Sequence, residues 1–220
     1  MSTRLYGSSG QRWGRSMLKD RPVLFDEARH KYAWGPTGEE MSSSVTSVAT
    51  YFDDKSHFAK HPEAAARGTH IHLCLEQHLK GAAEINPGEW AEWVDPLLAL
   101  PFWEQAEILA SEYRMVSRRK SIGGSVDLIC RYKGKTLMLD LKTSKSKPPD
   151  SKFNAQFGGY LDLLDTGDGA ETPGQWIDEC RVLWCSPGKT TFLKAQKCDD
   201  CSLSWLAAWD LYAAAALHTF

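Results

Sequence analysis

The stretch Gly124-Ser125-Val126-Asp127-Leu128-Ile129-Cys130-Arg131-Tyr132, the break Lys133-Gly134-Lys135 and the run Thr136-Leu137-Met138-Leu139-Asp140-Leu141-Lys142-Thr143 decide how this chain folds. Two runs of β-branched and apolar residues flank a short polar break, which is the pattern of a β-hairpin. Side chains alternate across a strand, so Leu137, Leu139 and Leu141 take one face while Met138, Asp140 and Lys142 take the other. The leucine face is core and the other carries chemistry. Two carboxylates, Asp127 and Asp140, brought together in a partly dehydrated place repel each other, and a bound divalent cation is the common way to keep both ionised. Oxygen ligands favour Mg2+ or Mn2+. A lysine one pleat from Asp140 can help activate a metal-bound water and offset charge growing on a phosphate. Taken alone, the same pattern also fits a charged, solvent-facing hairpin.

Flanking blocks add further candidates. Upstream, Ala66-Arg67-Gly68-Thr69-His70-Ile71-His72-Leu73-Cys74-Leu75-Glu76 opens a helical run in which His72 and Glu76 sit four apart and share a face. His72 is a candidate metal ligand and Glu76 a candidate support. His70 lies about 200° round the helix from His72, so the two do not chelate one ion as a helical pair. Downstream, Asn154-Ala155-Gln156-Phe157-Gly158-Gly159-Tyr160-Leu161 places Gln156 and Tyr160 on one helical face, where both are expected to reach a phosphate or a base.

In order, these blocks resemble the PD-(D/E)XK nuclease superfamily, in particular its RecB-like branch of phage exonucleases and the mitochondrial genome maintenance exonuclease. The resemblance covers roughly residues 25 to 165, and the joint occurrence of four blocks is more specific than any one motif. It implies that His72, Asp127 and Asp140 bind the metal, that Lys142 is the motif lysine, and that Gln156 and Tyr160 are the pair of the "QxxxY" helix. The implied reaction is phosphodiester hydrolysis leaving 5′ phosphates. Phe25-Asp26 with His30 and Tyr32, then Ser44-Val45-Thr46-Ser47-Val48, is similar to the amino-terminal hairpin and helix start of phage relatives and is read as scaffold. Glu112, in Ser111-Glu112-Tyr113-Arg114, begins the strand leading to the aspartate hairpin, where relatives often carry a glutamate; it is a candidate for active-site support. The Leu141 backbone carbonyl is expected to add a ligand, because magnesium takes about six oxygens, several of them water.

At 220 residues and 42% hydrophobic content the chain suits one nuclease domain, residues 23–220, preceded by a flexible basic arm, residues 1–22. No run of about 18 apolar residues occurs, so no membrane partner is expected. The formal net charge is only −2, yet the distribution is uneven. From Arg114 to Lys152 eleven basic residues stand against Asp127, Asp140 and Asp150, whereas Glu84 to Glu112 holds acids and no Lys or Arg. A basic zone round the proposed metal site is what phosphate tracking needs, and Arg118, Arg119, Lys145 and Lys147 are expected to contact DNA, single-stranded or with free ends. The expected compartment is the cytoplasm of a phage-infected bacterium. The arm, rich in Ser and Gly with no acid before Asp20, also resembles a mitochondrial transit peptide.

Cys180, Cys185, Cys198 and Cys201 cluster late, and some RecB-like relatives carry an iron-sulfur cluster. With one CxxC pair and no cysteine before Cys74, the reading favours buried reduced thiols over a cluster or zinc. Trp90, Trp93 and Trp103 lie in an acidic insertion, where core packing is favoured over stacking on unpaired bases. The expected order is an early hairpin, helices near 44–60 and 63–80, a helical insertion, three strands across 111–143, a helix near 152–164, strands near 180–195 and a closing helix. That is an α/β, restriction-endonuclease-like fold with a central mixed β-sheet flanked by α-helices. The expected function is a metal-dependent DNA exonuclease in phage DNA processing; the alternatives are a structure-specific or restriction-type endonuclease and a DNA-binding module that does not cut.

Overall fold

Apolar residues at alternating positions build three long antiparallel strands, β5 (Glu107–Ser117), β6 (Ile122–Tyr132) and β7 (Lys135–Thr143), in a computed structural model that describes residues 18–53, 62–170 and 176–217. A turn at Lys133-Gly134, both with positive φ, closes the β6–β7 hairpin. Ahead of them, β1 (Val23–Asp26), β2 (Lys31–Trp34) and β3 (Glu39–Glu40) form a small antiparallel sheet. Strand β4 (Ser43–Ser44) pairs in parallel with the start of β6 and feeds α1 (Val45–Ala49), where Ser44 Oγ accepts from the Ser47 amide as an N-cap. Helix α1 ends at Ala49, so the helix expected to run to residue 60 is interrupted after one turn and a half; residues 54–61 lie outside the described chain.

Helix α2 (Pro62–Leu79) is followed by a 3-10 turn (Gly88–Trp90), α3 (Ala91–Leu98) and α4 (Phe102–Gln105). After β7 the chain crosses through α5 (Asn154–Thr166) to β8 (Glu179–Ser186), which lies parallel to β7, then turns back as β9 (Lys189–Phe192) and closes with α6 (Cys198–Leu217). The six-stranded sheet runs β4-β6-β7-β8-β9, with β5 on β6. Parallel and antiparallel pairs mix in it and helices cover both faces, so the architecture is α/β.

Two cores follow from strand alternation. Leu137, Leu139 and Leu141 pack beneath α2, α3 and α4, whereas Met138 faces α1, α5 and α6. Trp93 and Trp103 are buried in the first of these layers, so two of the insertion's tryptophans are core. The second layer depends on two glycines of α5. A Cβ on Gly158 would stand 2.1 Å from the Cys201 carbonyl oxygen and 2.6 Å from Trp205 Cβ, and one on Gly159 would stand 2.6 Å from Val45 Cγ1. Their absence of side chain lets α6 and α1 lie directly on α5. Among the described residues no helix is long and apolar enough to cross a membrane.

Gly158→Ala is therefore expected to lower stability by about 1–3 kcal/mol, the usual cost of overpacking. Guanidinium denaturation checks it, and an unchanged midpoint would contradict this account of the α5–α6 contact.

Candidate metal centre

Strand register puts three acids in one row. In the β5–β6 ladder Ser111 pairs with Leu128 and Tyr113 with Val126, so Glu112 stands opposite Asp127. In the β6–β7 ladder the last pair is Leu128 with Leu139, so Asp127 and Asp140 come next, where pairing has stopped. Like charges directly opposite are unfavourable, and the strands deform at this row. Glu112 has φ of 49°, a left-handed conformation rare for a residue with a side chain. Val126 and Ile129 both enter one core layer and Leu128 and Cys130 the other, so alternation breaks beside Asp127. In place of a ladder bond, the Leu141 amide donates to Asp127 Oδ2 at 2.6 Å.

Helix α2 delivers His72 to this row. Its Nδ1 lies 3.7 Å from Asp127 Oδ1 and 3.8 Å from Glu112 Oε1, and its Nε2 lies 3.1 Å from the Leu141 carbonyl oxygen. Ligand atoms of His72, Glu112 and Asp127 all fall within 4.8 Å of one another. Burial by itself would lower the imidazole, but the charges of Asp127 and Glu112 outweigh it and push His72 up to about 9. At neutral pH both ring nitrogens thus carry protons, so Nε2 donates to the Leu141 carbonyl while Nδ1 faces the acids. Burial, together with Asp140 and Glu112, drives Asp127 above the ordinary carboxylate range, against the pull of His72 and Lys142.

Asp140 is buried and sits one step aside from the His72 cluster. Its Oδ1 accepts from Gln156 Nε2 at 3.1 Å, and Lys142 Nζ lies 2.7 Å from Oδ2. That ion pair faces an enclosed oxygen. Burial would lower the lysine, but Asp140 and Asp127 reverse this and hold it as an ammonium. Gln156 Nε2 also donates to Tyr160 Oη at 2.7 Å. Gln156 and Tyr160 are 6% and 4% exposed, which corrects the expectation that they reach a phosphate or a base: they lie behind Asp140 and orient it. A Cβ on Gly124 would come within 3.0 Å of Tyr160 Cε1, so this glycine makes room for the ring. Burial and the two aspartates raise the Tyr160 hydroxyl well above its ordinary value, so it remains a neutral phenol.

The donor set suits a hard divalent cation. Adjacent corners of an octahedron with bonds of about 2.1 Å lie about 3.0 Å apart, and opposite corners about 4.2 Å. The separations of His72 Nδ1 from Asp127 Oδ1 and Glu112 Oε1, 3.7 and 3.8 Å, fall in that range. Three carboxylates exceed the charge of one ammonium and one imidazolium. His72, Glu112 and Asp127, with Asp140 beside them, are therefore the residues placed to hold an ion, whereas the Leu141 carbonyl, expected as a further ligand, lies against His72 Nε2 on the other side of the ring.

Other candidates stand elsewhere. Glu76 pairs with Lys80, just past the end of its helix, rather than joining His72. Arg118 does not extend toward the centre: its amide and guanidinium bind Asp168 at 2.7 and 3.0 Å, and its cation lies over Trp34. Lys147 pairs with Asp150 at 3.3 Å, while Arg119 and Lys145 are exposed. All six cysteines are free. Cys180 on β8 packs in one core layer with Cys198 and Cys201 from α6, whereas Cys185 joins the opposite layer and contacts the Trp93 carbonyl. That convergence was not legible from spacing, because it depends on an isolated bridge between Cys180 and Gln196.

No protein-family model and no curated protein matches the chain. A solved structure, the crystal structure of SSO0001, is similar over 77% of this chain and 76% of that one, at 17% identity and a TM-score of 0.36, too slight a likeness to bear on fold or function.

The Arg118–Asp168 contact has a pH signature. Partial burial would raise Asp168, but hydrogen bonds from the Arg118 amide and guanidinium more than reverse this and hold it below its ordinary value. A depressed carboxylate stabilises the fold above its unfolded value near 3.9, and the contribution disappears as pH falls through the folded value. Asp168→Asn is expected to be less stable than wild type by about 1 kcal/mol near pH 7, with the gap closing below about pH 4. Urea denaturation at both pH values checks it; a gap independent of pH would contradict the assignment.

Proposed function

We propose that this chain is a divalent-metal-dependent DNA nuclease of the PD-(D/E)XK type, acting as an exonuclease on single-stranded or frayed ends with Mg2+ or Mn2+. The observation that carries the reading is the row Glu112, Asp127 and Asp140 on adjacent strands, with the His72 imidazole and Lys142 ammonium against it. A structural ion pair does not need a third, like-charged carboxylate. A cation-binding centre does, because acids that repel one another in the free protein become ligands when a divalent ion arrives.

His72, Glu112 and Asp127 would hold the ion, with Asp140 beside them. When bound, it polarises a phosphate oxygen and makes a water more acidic. His72 must give up its Nδ1 proton to become a ligand, which the pull of Asp127 and Glu112 otherwise opposes. Lys142 acts as a hydrogen-bond donor and not as a base, since two aspartates keep its Nζ protonated. From its place beside Asp140 Oδ2 it orients a water or neutralises a phosphate oxygen. Gln156 fixes the plane of the Asp140 carboxylate, and Tyr160 fixes Gln156. The exposed Arg119 and Lys145 are available to the DNA backbone.

Asp140→Ala is expected to lower hydrolysis by about 1000-fold or more while leaving most DNA binding intact. The assay compares end-labelled linear and circular DNA, single- and double-stranded, with magnesium, manganese or chelator. Loss of label from linear molecules alone, abolished by chelator, supports the exonuclease. Cutting of circles points to an endonuclease, and binding with no cutting under either metal points to a DNA-binding module. Full activity in the variant would remove Asp140 from the centre.

A further inference from the structure

Arg67 is a buried cation without a counter-anion among the described residues. The residue is 8% exposed, and its guanidinium lies over the Trp93 ring at 4.3 Å and near Trp90 at 5.9 Å. No carboxylate among the described residues pairs with it, and its Nε is enclosed with no acceptor. Stacking uses the face of a guanidinium and leaves the edge, with its N–H donors, to be satisfied in the plane. That edge matches two oxygens of a phosphate or carboxylate. A buried charge left unpaired is costly, so a fold that only needed to fill this space against Trp93 would do so with an apolar side chain.

The location ties the arginine to the centre. Gly68, its neighbour on α2, packs against Thr143: a Cβ there would stand 3.6 Å from Thr143 Oγ1, one residue beyond Lys142. One turn further along α2, His72 stands beside Leu141. Arg67 therefore sits at the end of β7 past the lysine, on a helix that also supplies a candidate ligand. Trp93 is buried in the core and Trp90 is partly exposed, so the stack backs the guanidinium from inside.

We infer that Arg67 is an anion-binding residue that takes a backbone phosphate of the nucleic-acid substrate, next to the one held at the metal centre. This rests on the nuclease reading for the identity of the anion, but not for its binding. Arg67 is a positioning residue: it fixes the register of the strand and leaves the chemistry to the row of acids.

The test uses full-length protein, Arg67→Met and Arg67→Lys, with a single-stranded oligonucleotide in chelator, a salt series, and inorganic phosphate followed through tryptophan fluorescence. Arg67→Met is expected to bind the oligonucleotide about tenfold more weakly and to flatten the slope of log affinity against log salt by about one unit. Arg67→Lys, a point charge without the planar fork, is expected to keep the slope but lose part of the affinity. The Arg67→Met chain is expected to unfold at the same or higher denaturant concentration, because an unpaired charge has been removed. An unchanged salt slope in Arg67→Met would overturn the inference, whatever its stability. If Arg67→Met does not fold, an Arg67→Lys chain with wild-type affinity would overturn it. Wild type that binds phosphate through Arg67 but not DNA would leave the anion site standing and sink the nuclease reading. Wild type that binds and cuts DNA with Arg67→Met indistinguishable from it would do the reverse.

Discussion

Repulsion among three carboxylates at one level of the sheet is the constraint that the surrounding structure answers. Glu112, Asp127 and Asp140 lie on adjacent strands at the same register. Their crowding is met by local deformation: a left-handed residue at Glu112, a break of alternation beside Asp127, and a ladder that stops after Leu128 and Leu139. It is also met by charge, with an imidazolium from α2 on one side and an ammonium from β7 on the other. Such arrangements are strained in the free protein, and strain concentrated at one place on an otherwise regular scaffold points to a ligand that relieves it.

The scaffold explains why the strain is tolerated. The long β5–β6 and β7–β8 ladders continue on both sides of the row, and each face of the sheet carries its own helical layer. Glycines placed where helices meet remove the bulk that would otherwise push α6 and α1 away from α5, and α5 in turn carries Gln156 and Tyr160 behind Asp140. Packing thus reaches the centre through a hydrogen-bonded relay of two side chains.

Much of this was legible in the sequence. Alternation in residues 124–143 assigned Leu137, Leu139 and Leu141 to one face and Asp140 with Lys142 to the other, and the α2 motif singled out His72. Glu112 was harder, since its place opposite Asp127 depends on cross-strand register, and its backbone conformation is an exception that propensity cannot foresee. Gln156 and Tyr160 share one face of a helix in the sequence, but that this face looks inward depends on Asp140 and Gly124 of the sheet and Thr46 of α1 lying against it. Charge was the least legible quantity. The basic stretch from Arg114 to Lys152 looks unopposed in a linear window, yet Asp168 answers Arg118 and Asp162 answers Lys120 from about 50 and 42 residues away. Arg67 shows the opposite case, an arginine in a helical motif whose lack of a carboxylate partner among the described residues appears only once the fold encloses it.

The claim at the centre is that this row of acids exists to hold a divalent ion. A crystal grown or soaked with manganese and measured at the manganese absorption edge tests it most directly. The account predicts an anomalous peak in contact with His72, Glu112 and Asp127, with the Lys142 ammonium still alongside. A peak elsewhere, or none at a manganese concentration that saturates ordinary carboxylate sites, would contradict it.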